Sequence, residues 1–319
     1  GVQSVDLFAL ASRNGQTATI DPTVAKLLTD IRSSTSQGQL EDLWDPSVQR
    51  LTYQNPAKNF TPSPTVRVDY NLSRKHRLTA SYNYQHINSV PDTTNNQEPR
   101  FPGFRVTASQ QSTPWTTSEA VRSTLGANLV NEVRFGGTGG ATHFSPELGA
   151  SMWSDSIANT DGFRFAMNST QFPIANVDNG SGNSSREAST KVIEDTLNWI
   201  HQSHSVTFGA SLTQAEYWFK QKTHVPSIDF GIANGDTADA MFTTGNFPGA
   251  SSTQLTAARE LYSILTGRIN AITANARLNE ATSEYEFLGL GTERGRMREF
   301  GFFAQDSWRM RSNLTLNAG

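Results

Sequence analysis

The chain has 319 residues, of which 36% are hydrophobic, and its formal net charge at pH 7 is −3. This charge leaves no basic excess to neutralise phosphates, so nucleic acid is not expected as a partner. The lack of cysteine excludes disulfides, thiolate metal sites and thiol catalysis. No apolar run approaches the roughly eighteen residues of a transmembrane helix. A mean hydropathy of −0.48, with 18 Phe and 6 Trp, favours strands that have one wet face and one apolar face.

The first predicted element is a helix in the sequence DPTVAKLLTDI. Asp21 is a suitable N-cap, and Pro22 fits the first helical position because the N–H that proline lacks would have no partner there. Apolar residues then recur at helical spacing, which predicts one buried face. These residues are Val24, Leu27, Leu28 and Ile31.

A hairpin of two strands is predicted next, with the short polar sequence SRKH as its turn. Apolar and polar residues alternate on both sides of this turn, and a period of two is the signature of a strand with unlike faces. The apolar positions are Val66, Val68, Tyr70 and Leu72 before the turn and Leu78, Ala80, Tyr82 and Tyr84 after it.

The same pattern recurs three times further along the chain. Segments 118–125 and 130–137 flank GANL, segments 190–200 and 205–219 flank HQSH, and segments 298–308 and 314–318 flank RMRSN. Each pair reads as a hairpin with a short turn. Four hairpins give about eight strands.

Long connectors rich in Gly, Asn, Ser, Thr and Pro separate these hairpins. They cover about residues 1–63, 89–115, 139–188 and 220–296. The last connector contains a second predicted helix, TQLTAARELYSILTGRINAI, with an apolar stripe from Leu255 to Ile272. We expect this stripe to pack against the surrounding loop or the rim of the strands.

Short turns at one end and long connectors at the other predict an all-β antiparallel meander that forms part of a transmembrane β-barrel, with short helices in extracellular loops. Only every second strand residue of such a barrel meets lipid, which accounts for the low hydrophobicity. Tyr70, Trp199 and Trp308 lie near the short turns, as an aromatic girdle would. The alternative is a soluble or surface-attached β-rich adhesin or carbohydrate-binding protein, in which the apolar faces pack sheet on sheet.

The closing sequence FGFFAQDSWRMRSNLTLNAG resembles a barrel hairpin of TonB-dependent outer-membrane receptors. The positions that match the family pattern are Phe303, Gln305, Asp306, Trp308, Leu314, Thr315 and Leu316. The opening VDLFALASRNGQTATIDPTVAKLL and the segment LYSILTGRINAI resemble the Oar-like branch, whose members are similar at their N-termini to carboxypeptidase-regulatory-domain proteins.

This resemblance implies energised uptake of a scarce nutrient across the outer membrane, the nutrient being a siderophore, vitamin, glycan or peptide. It implies three partners: outer-membrane lipid, an extracellular ligand, and a TonB-type energy-coupling complex that acts through a plug. The family builds a 22-stranded barrel, so the chain is expected to be a fragment of the barrel without its plug and N-terminal domain. No enzymatic activity and no cofactor are implied.

Asp306 stands out because it lies an even number of residues from Phe300, Phe302, Ala304 and Trp308. In a strand it would therefore share their face, which we call having the same parity. If that parity faces lipid, Asp306 must lie at the membrane interface or at a β-bulge.

Several other side chains have the chemistry to contact a ligand or bind a metal ion. Four aromatic residues in the long connectors are candidate ligand contacts: Trp115, Trp153, Phe163 and Phe165. His201 and His204 form an H-x-x-H in a short turn, which without a third ligand is interpreted as solvated turn histidines. No nucleophile-elbow spacing is present, so no catalytic residue is predicted.

Overall fold

The computed structural model describes residues 4–44, 48–104, 106, 108–145, 164–166, 182–223 and 226–319. Most of these residues form antiparallel strands, and the helices are few and short. None of the helices in these ranges has the length and apolar character required to cross a membrane.

The helices are α1 (Leu7–Arg13), α2 (Pro22–Ser34) and α3 (Ser252–Thr266). The strands before the first long gap are β1 (Gln39–Asp42), β2 (Gln49–Thr52), β3 (Lys58–Phe60), β4 (Thr65–Asn71), β5 (His76–Tyr84), β6 (Ile87–Val90), β7 (Ser109–Ser112), β8 (Trp115–Gly126) and β9 (Leu129–Ser145). The remaining strands are β10 (Arg164–Ala166), β11 (Gly182–His201), β12 (His204–Thr223), β13 (Ser227–Phe230), β14 (Ile269–Thr273), β15 (Ala276–Asn279), β16 (Glu284–Phe287), β17 (Gly291–Arg311) and β18 (Leu314–Ala318).

Eleven of these strands form one sheet, the main sheet. Strand β9 pairs with β8 along its first part and with β7 along its last part, so β7 and β8 occupy one position in the sheet. In the same way β6 continues β5, and β3 continues β4. The sheet therefore has eight positions that follow one another in chain order, as the sequence predicts.

All four predicted hairpins are present: β4–β5, β8–β9, β11–β12 and β17–β18. Their turns are tight. In the first turn the Ser73 hydroxyl accepts hydrogen bonds from the backbone N–H groups of Lys75 and His76, at 3.1 and 3.2 Å. In the third, Gln202 adopts a left-handed φ of 55°, which a two-residue hairpin turn requires.

The predicted boundaries of the long connectors are wrong at several places. Strand β9 runs on to Ser145, β11 begins at Gly182, β12 reaches Thr223 and β17 begins at Gly291. Backbone ladders continue in these segments although apolar and polar residues no longer alternate. A strand outside hydrocarbon has no need of an apolar face, so its sequence carries no period-two signal.

Three strands on one side of the main sheet are interrupted at the same level. Strands β4, β5 and β8 are separated from β3, β6 and β7 by short segments that include Pro62, Pro64 and Pro114. Proline cannot donate to a ladder, but its carbonyl can accept. The carbonyls of Pro62, Pro64 and Pro114 accept from the N–H groups of His86 (3.0 Å), Tyr84 (3.1 Å) and Gln85 (2.8 Å) respectively. We call this level the proline crease; β9, β11, β12 and β17 run without a break.

The apolar core lies outside the main sheet, in a helical cluster formed by residues 4–37 and 227–273. Its larger part is made of Leu10, Ala11, Ile232, Ala238, Met241, Phe247 and Tyr262, and its smaller part is Val24 and Ile264 with Leu27, Leu28 and Phe230 packed against them. The predicted helix at Pro22 is confirmed, with Asp21 as the N-cap that accepts from the N–H groups of Thr23 and Val24. The stripe of α3 does pack on neighbouring loops.

Helix α3 is shorter than the sequence predicts. It begins with a capping box between Ser251 and Gln254 and ends at Thr266, because Gly267 adopts the left-handed conformation (φ 67°) that closes a helix. Ile269 and Ile272 belong instead to β14, which pairs with β13. The spacing of these two isoleucines fits a helical stripe, but the helix has already ended at Gly267.

Candidate functional site

The main sheet has two unlike faces. Register pairing places one set of side chains on the same face across all eight positions, which we call the apolar face. Its apolar members are Val66, Val68, Tyr70, Leu78, Ala80, Tyr82, Val121, Val133, Phe135, Ile193, Leu197, Val206, Phe208, Ala210, Leu212, Phe300, Phe302, Ala304 and Leu316. Many of them are exposed, with Phe302 at 82%, so this face lacks a covering layer among the residues that the structure describes.

The opposite face, the polar face, carries charges in register. Its charged members include Arg67, Asp69, Arg77, Arg122, Glu132, Arg134, Glu194 and Glu299. Arg134 pairs with Glu132 on the same strand, and Arg77 pairs across strands with Asp69 at 3.3 Å. Aromatic rings on this face lie over glycines of the neighbouring strand: Phe303 over Gly209 and Tyr217 over Gly295.

The apolar character is confined to the half of each strand near the short turns. In β17 it runs from Phe300 to Trp308, about the nine residues that a tilted strand needs to cross hydrocarbon. Beyond Phe300 the same face continues with Arg298, Arg296 and Arg294. The apolar stretch is therefore a band about 25 Å tall, the height of the lipid-facing band of an outer-membrane barrel.

A family model described as "Outer membrane beta barrel domain" matches residues 9–319. The chain belongs to this family. No curated protein and no solved structure matches it. The family's location is the outer membrane, and its fold agrees with the antiparallel sheet, the short turns and the apolar band. This location argues against the soluble β-rich module that was the alternative.

The three aromatic residues predicted for a girdle lie at the turn end of the apolar face. Tyr70 pairs with Leu78 beside the first turn, and the other two belong to the third and fourth hairpins. Trp199 stacks on His201, with ring centroids 5.0 Å apart, and Trp308 stacks on His204 at 5.4 Å. The two histidines would therefore extend the predicted girdle, and His204 is not simply the solvated turn residue that the sequence indicates.

The structure places Asp306 in regular register opposite Val206, on the apolar face near the short turns. The irregularity in β17 lies between Arg309 and Arg311, so Asp306 is not at a bulge. Its Oδ2 lies 2.6 Å from Nδ1 of His204. Of the two positions left open by the sequence, the structure excludes the bulge, and Asp306 lies two residues from the turn end of the apolar band.

The other family-motif residues occupy both faces. Gln305 and Phe303 lie on the polar face, opposite Thr207 and Gly209, and Leu316 lies on the apolar face opposite Trp308. Leu314 is opposite Arg311, directly after the turn. The matched positions therefore form a two-faced hairpin rather than a cluster around a ligand.

The four candidate ligand contacts are not brought together. Trp115 is wrongly placed in a loop by the sequence: it is the first residue of β8, pairs with Tyr84 and Gly139, and lies flat over Gly137 and Gly139. Because these two glycines have no side chains, the Trp115 ring fits over them while its backbone stays in β8. Phe165 lies in β10, which pairs in parallel with β13. Trp153 and Phe163 lie outside the described residues.

A groove of about 860 Å³ crosses the main sheet on the side of the long connectors. Most of its side chains share the parity of the apolar face and lie beyond the apolar band. They are Tyr84, Trp115, Glu187, Ser189, Glu216, Trp218, Arg294 and Arg296, with Gly140, Ala188 and Gly295 between them. Sequence reasoning missed Arg294 and Arg296, although their alternation with Gly295 and Met297 places them on the parity of Phe300.

A polar cluster ties the N-terminal segment to the last connector within the helical cluster. Arg268 contacts both carboxylate oxygens of Asp236, at 2.7 and 2.6 Å, and donates to Gln16 Oε1 at 2.9 Å. Tyr262 donates to the carbonyl of Thr17 at 2.7 Å. Burial opposes ionisation of Asp236, but the hydrogen bonds from the Ala238 N–H and from Arg268 outweigh it and lower the pKa of Asp236.

Within the described ranges no three His, Asp or Glu side chains are grouped so that they could hold a metal ion.

Proposed function

We propose that the chain forms part of the barrel of a TonB-dependent receptor of the Oar-like branch, which takes up a scarce nutrient in an energised, gated passage without a covalent step. The matched residues of the last hairpin support this proposal, as does the arrangement of short turns at one end and long connectors at the other. A siderophore, vitamin, glycan or peptide would be the cargo. We propose no enzymatic role and no cofactor.

The observation that carries the proposal is the unlike character of the two faces. The apolar face is proposed to contact outer-membrane lipid, because barrels of this membrane turn their apolar side outward. The polar face would then line the interior. Its charged ladders, such as Arg134 with Glu132 and Arg77 with Asp69, suit a wet passage and would be costly in hydrocarbon.

The long connectors are proposed to capture the extracellular ligand. Among the described residues, the first and the last connector hold the only sizeable apolar core, so these two present an ordered surface. A TonB-type complex would supply the energy by moving a plug domain. Nucleic acid is not proposed as a partner, because the chain has no excess of basic residues.

Uptake assays with labelled compounds of the four cargo classes test this function. We expect a strain that lacks the full-length receptor to lose uptake of one class, and the complemented strain to recover it. A protonophore should abolish the recovered uptake, because transport through such a receptor depends on the inner-membrane energy source. Uptake that persists at full rate with the protonophore would identify a passive pore instead.

Topology provides a second test. Gly249 is exposed in the connector between β12 and β17, and a short tag inserted there should be labelled by antibody on intact cells. The matched insertion is at Ser312, in the short turn between β17 and β18, which should be labelled only after the outer membrane is permeabilised. The reverse pattern would invert the proposed orientation.

A further inference from the structure

The groove lies on the same face as the apolar band and directly beyond it. From the short turn that joins it to β18, strand β17 first crosses the apolar band. It then reaches the groove at Arg296 and Arg294. Beyond the edge of the hydrocarbon a bilayer has a polar headgroup layer of about 5–8 Å on each side. Side chains at this level and on this face would therefore meet headgroups.

Two tryptophan side chains of the groove have defined packing partners. Trp115 lies over a floor of two glycines, and a Cβ atom added to Gly139 would be 2.9 Å from its Cζ2 atom. The ammonium of Lys220 lies 4.0 Å from the centroid of the Trp218 ring. Rings that combine an apolar face with a polar edge are the residues that occupy membrane interfaces, and their faces also accept the C–H side of a sugar ring.

Basic residues surround the groove. Its charged lining residues are Arg294 and Arg296, with Glu187 and Glu216, and Lys191, Lys220 and Arg298 lie next to them on the same face. Glu216 positions Arg296 at 2.7 Å, and Glu280 of the adjacent connector positions Arg294 at 2.7 Å. Both guanidinium groups are more than half exposed and keep donors free for an outside ligand.

We propose that this groove binds the phosphorylated sugar headgroup of an outer-leaflet glycolipid. Arginine presents its N–H donors in the fork that phosphate oxygens match. The aromatic rings would take the sugar, and the acyl chains would continue onto the apolar band below the groove. The continuity of groove and band, the surrounding basic residues and the aromatic rings favour a lipid over a soluble ligand. The proposal rests on the orientation given above for the connectors and does not depend on the transported cargo.

The test uses the full-length receptor and lipid A, a bisphosphorylated glucosamine disaccharide with acyl chains, in mixed detergent micelles. The variant Arg294→Gln/Arg296→Gln should bind lipid A about 25-fold more weakly, because each basic residue near an anionic surface contributes roughly fivefold. Trp218→Ala should weaken binding as well. Lipid A copurified per barrel, measured by mass spectrometry, should fall in parallel.

The matched control removes two arginines that lie away from the apolar face. Arg50 pairs with Glu41 at 3.1 Å and Arg32 donates to Gln49, both before the first hairpin. Arg32→Gln/Arg50→Gln should bind lipid A like the unaltered receptor, and an unchanged heat-dependent gel shift would show that all variants fold. Equal affinity of the groove variant and the control would overturn the proposal, as would groove-dependent binding of the deacylated, water-soluble disaccharide with the affinity of lipid A.

Discussion

The main sheet and the helical cluster are built on different physical principles within one chain. Every buried apolar side chain of the described ranges lies outside the main sheet, and most lie in the helical cluster. The sheet instead exposes large apolar side chains on one face, where Glu119, Asp195 and Asp306 also lie, and carries most of its charged side chains near the short turns on the other. Its strands are joined by continuous backbone ladders, such as the twenty-residue pairing of β11 with β12.

This difference shows where the stability of each region comes from. The helical cluster is stabilised by burial of apolar area, as in a water-soluble domain. The sheet has no such core, so its stability depends on its hydrogen bonds and on the membrane around it. Substitutions that damage one region should therefore leave the other intact.

The largest effect is expected for Tyr262→Ala in the helical cluster. Tyr262 is fully buried, and its ring centroid lies 5.9 Å from that of Phe242. Truncation of a buried aromatic residue costs about 3–5 kcal/mol, so proteolysis should cut the connector between β12 and β17 much faster. Tyr285→Ala, at a tyrosine that is 75% exposed, is the control and should change little. Loss of the folded barrel in the Tyr262 variant would contradict the independence of the two regions.

The next effect tests the faces of the sheet. Ala304 is on the apolar face opposite Phe208, and Gln305 is on the polar face opposite Thr207. Lysine near the midplane of a lipid-facing band costs about 2–4 kcal/mol, whereas a substitution inside a barrel is tolerated. Ala304→Lys should therefore lower the denaturant midpoint after refolding into lipid vesicles well below that of Gln305→Lys. Equal losses would disprove the assignment of the faces, and a larger loss for Gln305→Lys would reverse it.

A smaller effect is expected where a ring covers a glycine. A Cβ atom added to Gly209 would overlap the Phe303 ring, whereas one added to Gly136 would meet nothing within 4 Å. Overpacking costs about 1–3 kcal/mol, so Gly209→Val should destabilise the sheet while Gly136→Val, also on the polar face, should not. The denaturant midpoints of the two refolded variants provide the comparison, and equal destabilisation would mean that strand conformation alone decides the cost.

The smallest effect is a dependence of the helical cluster on pH. The lowered pKa of Asp236 means that its contribution is fully present above the unfolded value of about 3.9 and is lost as the pH falls through the folded value. Protease resistance of the cluster should therefore decline at low pH with an acid-stable protease such as pepsin. Asp236→Asn should be less resistant near pH 5 and should show a weaker decline. An identical decline in both proteins would assign the effect to other groups.

The sequence predicts the two regions unequally well. The four hairpins follow from alternation and turn residues, because the band near the short turns must separate an apolar side from a polar one. Beyond the band, segments such as 138–145 and 184–189 form strands without that signal. Helix α2 follows from Asp21 and Pro22, whereas α1 was not predicted, although Asp6 caps it.

The groove could not be predicted from spacing alone, because it joins residues from six hairpin strands that are far apart in the sequence. Arg294 and Arg296 become neighbours of Trp218 and Glu216 only through the register of β12 with β17. The parity of the two arginines was visible in the sequence. Arg294 and Arg296 share a groove with Trp115 only because of the order of the strands that lie between β8 and β17.

The proline crease gives the wall of the sheet unequal stiffness. On the side of β9, β11, β12 and β17, each strand is a continuous ribbon that transmits displacement from the short turns to the connectors. On the side of β4, β5 and β8, each strand is interrupted at the crease. Proline carbonyls accept hydrogen bonds there, but proline has no N–H to complete the ladder. We therefore expect a load on the connectors to be borne mainly by the unbroken side and any bending of the divided side to occur along the crease.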